Sequence, residues 1–100
     1  MEIDVTERAI KWFEDELSLE KGDSIRFFGK TYGNTEVHEG FSVGMSVDKP
    51  DSEPLAQKKV NEVTYFAGKE DEWFFSGYNL EIDFNPELEE PIYHFHESKS

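Results

Sequence analysis

The stretch that most constrains the fold is residues 38–47, His-Glu-Gly-Phe-Ser-Val-Gly-Met-Ser-Val. From Phe41 onward the apolar side chains fall on odd positions, and serine or glycine fills the even ones. A period of two belongs to a β-strand. This segment should therefore turn Phe41, Val43, Met45 and Val47 toward a core and leave Ser42, Gly44 and Ser46 nearly bare on the opposite face. A face so short of bulk lies under another element or beside a site. The chain enters the strand from a polar loop through His38, Glu39 and Gly40, and this junction is the first place to look for chemistry.

The flanking segments say what the strand packs with. Residues 6–18 predict an amphipathic helix, with Ala9, Ile10, Phe13 and Leu17 on one side and Glu7, Arg8, Lys11, Glu14 and Asp15 on the other. Thr6 is suited to cap it, Asp4 competes for that role, and Lys21, Gly22 and Asp23 end it. Strands are expected at 24–32, 60–66, 80–84 and, briefly, 92–95. Turns fall at 33–35 and near Gly77, and loops at 48–54 and 85–91. The 68–72 stretch is a turn or short helix leading into Trp73, Phe74 and Phe75. One helix and five short strands make a mainly β domain, α+β by content, with two packed sheets and the N-terminal helix across one face. No second long helical pattern exists to build a βαβ crossover. At 100 residues there is one core, assigned to residues 1–96, with 97–100 as a C-terminal tail.

Charge and cysteine usage exclude whole classes of function. A formal net charge of −13 argues against nucleic acid and against anionic membrane surfaces, both of which select Lys and Arg. No apolar run approaches the roughly 18 residues of a membrane helix, and no basic-then-apolar leader opens the sequence. A cytoplasmic location is the expectation. The chain has no cysteine, which removes disulfides, thiolate nucleophiles and thiolate metal ligands together. The expected partner is a protein with a basic surface, bound by a monomer or a homodimer of this chain.

In order and spacing, several pieces resemble the HesB-like domains, or A-type iron–sulfur carriers, and in particular their cysteine-free YneR-like branch. They are Val5-Thr6 opening a helix with Ala9, the Ile25-Arg26-Phe27 strand, the strand led by Gly40, and Gly77-Tyr78-Asn79-Leu80-Glu81-Ile82. The resemblance covers nearly the whole chain. It implies a compact HesB-like β-sandwich with one N-terminal helix packed across it. It also implies where the carriers keep their three ligand cysteines: one just before the Gly-led strand, and a Cys-x-Cys pair near the C-terminus. Here those places hold His38-Glu39-Gly40 and His94-Phe95-His96.

All three histidines thus fall near ligand positions of the family, and His38, His94 and His96 form a candidate metal set. On a strand His94 and His96 point the same way, with Cα atoms ~6–7 Å apart. Three imidazoles suit Fe or Zn and leave a position open. Glu36, Glu39 and Glu97 are near enough in sequence to orient them. A conventional iron–sulfur cluster fits poorly without thiolates. Against this stands the plain reading of surface histidines beside a loop and a tail. Ser42, Ser46 and Ser76 lack a base placed by a nucleophile motif, and no glycine pattern cradles phosphate. The acid pairs Asp71-Glu72 and Glu89-Glu90 read as solvated surface. Trp73, Phe74 and Phe75 cannot all face one way, so one of them, like Trp12, is a candidate for partner contact. The function expected is a HesB-like protein that is not an enzyme and carries no cofactor, accessory to iron–sulfur or metal handling. The alternative is a histidine-based Fe or Zn protein.

Overall fold

Thr6 caps the N-terminal helix, as its sequence position predicts: its side-chain oxygen accepts a hydrogen bond from the Ala9 N–H at 3.3 Å. In the computed structural model, which describes residues 1–98, that helix is α1 (Glu7–Glu16), preceded by a short strand β1 (Ile3–Val5). It ends before Gly22, at Leu17, because Ser18 already takes a left-handed backbone conformation with φ 50°. There follow β2 (Ser24–Lys30), β3 (Ser42–Val47), β4 (Ala56–Val60) and β5 (Val63–Ala67). A 3-10 turn (Lys69–Asp71) and the single-turn α2 (Glu72–Phe75) lead to β6 (Tyr78–Asn85) and β7 (Glu90–Glu97). Glu97, assigned to the tail, completes β7, and residues 99–100 of that tail lie outside the described residues.

The strands form two sheets, ordered β1-β6-β7 and β3-β2-β5-β4. This is the mainly β, two-sheet architecture expected, with two strands and one helix more than the alternation predicts. The segment 60–66, read as one strand, is broken at Asn61 and Glu62. Their φ values of 53° and 63° make the tight turn that pairs β4 with β5. Two pairings are parallel, β1 with β6 and β2 with β5, and neither uses a helical crossover.

The core lies between the sheets. Ile25 and Phe27 of β2, Val63, Tyr65 and Ala67 of β5, Leu80 and Ile82 of β6, and Phe95 of β7 are buried there. From α1, Phe13 reaches in edge-on to Phe27 and Tyr65, with ring centroids 5.9 Å from each, while Trp12 stacks on Phe84 at 5.6 Å. The helix is thereby fastened to both sheets. Along one side of the sandwich β1 lies against β4, and Lys58 of β4 meets Asp4 of β1 at 3.9 Å. Along the other side the edges of β3 and β7 leave a cleft of about 640 Å³.

The bare face of β3 is covered at its middle. Gly44 sits opposite Phe28 in the register, and a Cβ at Gly44 would lie 2.5 Å from Cε2 of that ring and 2.8 Å from Lys30 Cγ. Phe28 lies across the strand where a side chain at Gly44 would otherwise stand, while Ser42 lines the cleft between the edges of β3 and β7.

Candidate functional site

The loop that delivers the chain into β3 is tied down at every turn. Thr35 Oγ1 accepts from the N–H groups of Val37 and His38, Thr35 N–H donates to the His38 carbonyl, and Asn34 Oδ1 accepts from Gly40 N–H. Gly40 takes φ 87°, a conformation that costs a glycine little. This frame aims His38 inward. Its Nε2–H donates to the Phe74 carbonyl at 2.7 Å, which fixes the tautomer, since a carbonyl can only accept. The ring stacks on Phe74 at 4.7 Å and meets Phe41, Tyr78 and Phe95 edge-on. His38 fastens the loop to α2 through an aromatic cluster.

The other two histidines stand elsewhere. His94 and His96 share a face of β7, as the two-residue period predicts, with ring centroids 6.4 Å apart. That face is opposite to the one carrying Phe95, whose buried ring is 5.9 Å from His38. β7 therefore separates His38 from the pair. His94 Nδ1 lies 2.9 Å from Glu36 Oε2, and His96 Nε2 lies 3.0 Å from Glu81 Oε1. Each imidazole thus answers to a different partner. Among the described residues, no three His, Asp or Glu side chains converge as a metal would require. The set His38, His94 and His96 is corrected accordingly: sequence places them near the family's ligand positions, but the fold turns one half-buried ring onto the aromatic cluster beside α2 and two onto the opposite face of β7. With no sulfur donor and one imidazole engaged by a carbonyl, the residues present do not fit an iron–sulfur cluster or a three-histidine metal ion.

Glu36 does what the sequence does not advertise. Besides holding His94, its Oε1 accepts the Phe95 N–H at 2.9 Å, closing part of the outer edge of β7. The hydrogen bond from His94, and then that from Phe95, hold the Glu36 carboxyl below its usual range. A second arrangement overturns an expectation. Asp71, read as solvated, is buried and accepts from Arg26 Nη2 at 2.7 Å, with Glu70 at 3.2 Å from the same nitrogen. The ion pair anchors the turn before α2 to β2. The aromatic run it introduces is divided as geometry demands: Phe74 and Phe75 are fully buried, and Trp73 is 54% exposed against Phe41.

No protein-family model matches the chain. Over 95 residues it is 32% identical to a Bacillus subtilis (strain 168) protein named pyruvate dehydrogenase inhibitor, an alignment covering 95% of this chain and 99% of that one. It is 33% identical over 95 residues to an uncharacterized Staphylococcus saprophyticus protein, covering 93% and 97% of the two. Among solved structures it is similar to Escherichia coli SufA, involved in biosynthesis of iron–sulfur clusters, with a TM-score of 0.62 and 21% identity over 98% of this chain and 82% of that one. IscA, solved with a 2Fe–2S cluster, gives a TM-score of 0.57 and 13% identity over 98% and 84%. At such identities the likeness is one of fold, and that fold is the one the A-type carriers have.

Proposed function

The chain belongs to the family that includes the Bacillus subtilis pyruvate dehydrogenase inhibitor, and from that premise we propose that it is a non-enzymatic regulator that binds another protein. Pyruvate dehydrogenase is its first candidate target. In this reading it sits in the cysteine-free YneR-like branch of the HesB-like proteins and works in the cytoplasm. The observation that carries the reading is His38. At the place where the family resemblance puts a ligand, this chain has a side chain spent on holding its own loop, and it has no cysteine anywhere. A carrier scaffold without ligands keeps its shape and surface, and those are what a binding protein needs. The charge of −13 steers it toward a basic surface and makes the association sensitive to salt.

The test is to titrate purified protein into a pyruvate dehydrogenase assay and measure co-sedimentation alongside. The expected result is a saturable fall in activity that raised ionic strength relieves. Unchanged activity with no co-sedimentation at protein excess overturns the reading. The likeness of fold to SufA favours a second one, an accessory role in iron–sulfur assembly through a protein partner; capture of an assembly protein in place of the dehydrogenase would support it.

A further inference from the structure

An open sheet has edges, and unpaired edges attract other strands unless something prevents it. Three of the four edges here carry such a device. β1 is only three residues long. β4 carries Lys58 and Lys59. On β7 the residues facing outward are odd-numbered, because Leu80 and Ile82 of β6 are turned to the β1 side. Of these, Pro91 has no N–H and Phe95 has given its own to Glu36. β3 has none of these features. Asp48 N–H donates to the Ser24 carbonyl, so even positions of β3 face β2, and Val43, Met45 and Val47 present their N–H and C=O groups outward. Among the described residues no loop or side chain answers them. The strand has no charge and no proline, and Val47 is 54% exposed.

We propose that the outer edge of β3 is the docking surface, taking an extended segment of the partner protein as a fifth strand of the four-stranded sheet. This rests on the reading of the chain as a protein-binding regulator. The chemistry of the segment follows from what surrounds the edge. Val43, Met45 and Val47 on the core side, with Leu88 and Ile92 across the cleft, fit apolar side chains at alternate positions. Glu39 and Asp48 bracket the strand, and Glu36 and Glu90 line the cleft, so Lys or Arg belongs at the segment's ends. A second copy of this chain is the poorer occupant, since it brings −13 against −13.

The probe is a synthetic peptide, Lys-Lys-Val-Thr-Val-Thr-Val-Lys-Lys, added to the intact protein while amide exchange is followed residue by residue. Slowed exchange at Val43, Met45 and Val47, with β4 and β7 unaffected, is the expected result. A version with Glu in place of each Lys should bind roughly tenfold more weakly. Val47→Lys, a surface change that leaves the core intact, should weaken binding by about the same factor, and Val47→Pro, which removes the outward N–H at the same exposed position, should agree with it. Equal protection of all edges, protection elsewhere, or none overturns the edge proposal. So does concentration-dependent self-association that Val47→Lys abolishes, because it gives the edge to a second copy. Peptide binding at β3 with no effect on pyruvate dehydrogenase leaves the edge standing and removes that target. Inhibition that survives both variants does the reverse.

Discussion

β3 and β7 line the same cleft, yet the chain finishes their outer edges differently. On β7 two of the outward donors are removed or occupied: proline replaces one N–H, and Glu36 reaches across from the loop to take another. On β3 the inward side is crowded, with Phe28 pressed over Gly44, while the outward side is left uncharged. The contrast teaches that a strand can be firmly seated by one side and open on the other. Sequence reports the seating, because it shows in the alternation, and is silent on the openness, which depends on where the neighbours end.

The contrast can be broken by experiment. The largest effect should come from the seat of β7. Phe95→Ala removes a buried ring packed on Phe75, Tyr78 and His38, and should cost about 3–5 kcal/mol in denaturant unfolding. On β3 the corresponding test adds bulk. Gly44→Val drives a side chain into Phe28 and should cost ~1–3 kcal/mol; a neutral result would mean that the ring does not hold the strand. Removing the plug, Glu36→Ala, loses two hydrogen bonds at a half-exposed position and should cost about 1 kcal/mol. Its sharper signature is faster amide exchange at Phe95 with the β3 amides unchanged. The smallest effect is in pH. The Glu36 carboxyl titrates lower in the folded chain than its ordinary 4.5, so its contribution is complete above that value. It fades as pH falls through the folded pKa. Glu36→Gln should flatten this part of the acid limb of a stability–pH curve, and an unchanged limb would show that the plug is not ionic.

How much of this was legible depends on whether the cause was local. The cap at Thr6, the alternation of β6 and the common face of His94 and His96 are set by residues a few positions apart, and each stands as read. β3 alternates too, but Val47, expected on the core, is exposed where the strand ends. β1 and β4 were not legible. Ala-Gln-Lys-Lys-Val has little to bury at an edge, and three residues of β1 become a strand only beside β6. Asp71 looked solvated because Arg26, its partner, is 45 positions away. The candidate site failed for the same reason. His38 has the right type and place in the chain, but Phe74 decides what its ring does, and nothing in the spacing links the two.

The parallel pairing of β1 with β6 also bears on biosynthesis. Ile3 leaves the ribosome well before its neighbour Leu80, and the whole of residues 24–67 is made between them. The N-terminal strand has to wait, and loops closed over such distances slow folding. The four-stranded sheet draws on residues 24–67 alone and is free to assemble first. The nascent polypeptide would then build from its middle outward, with its first strand among the last to be placed.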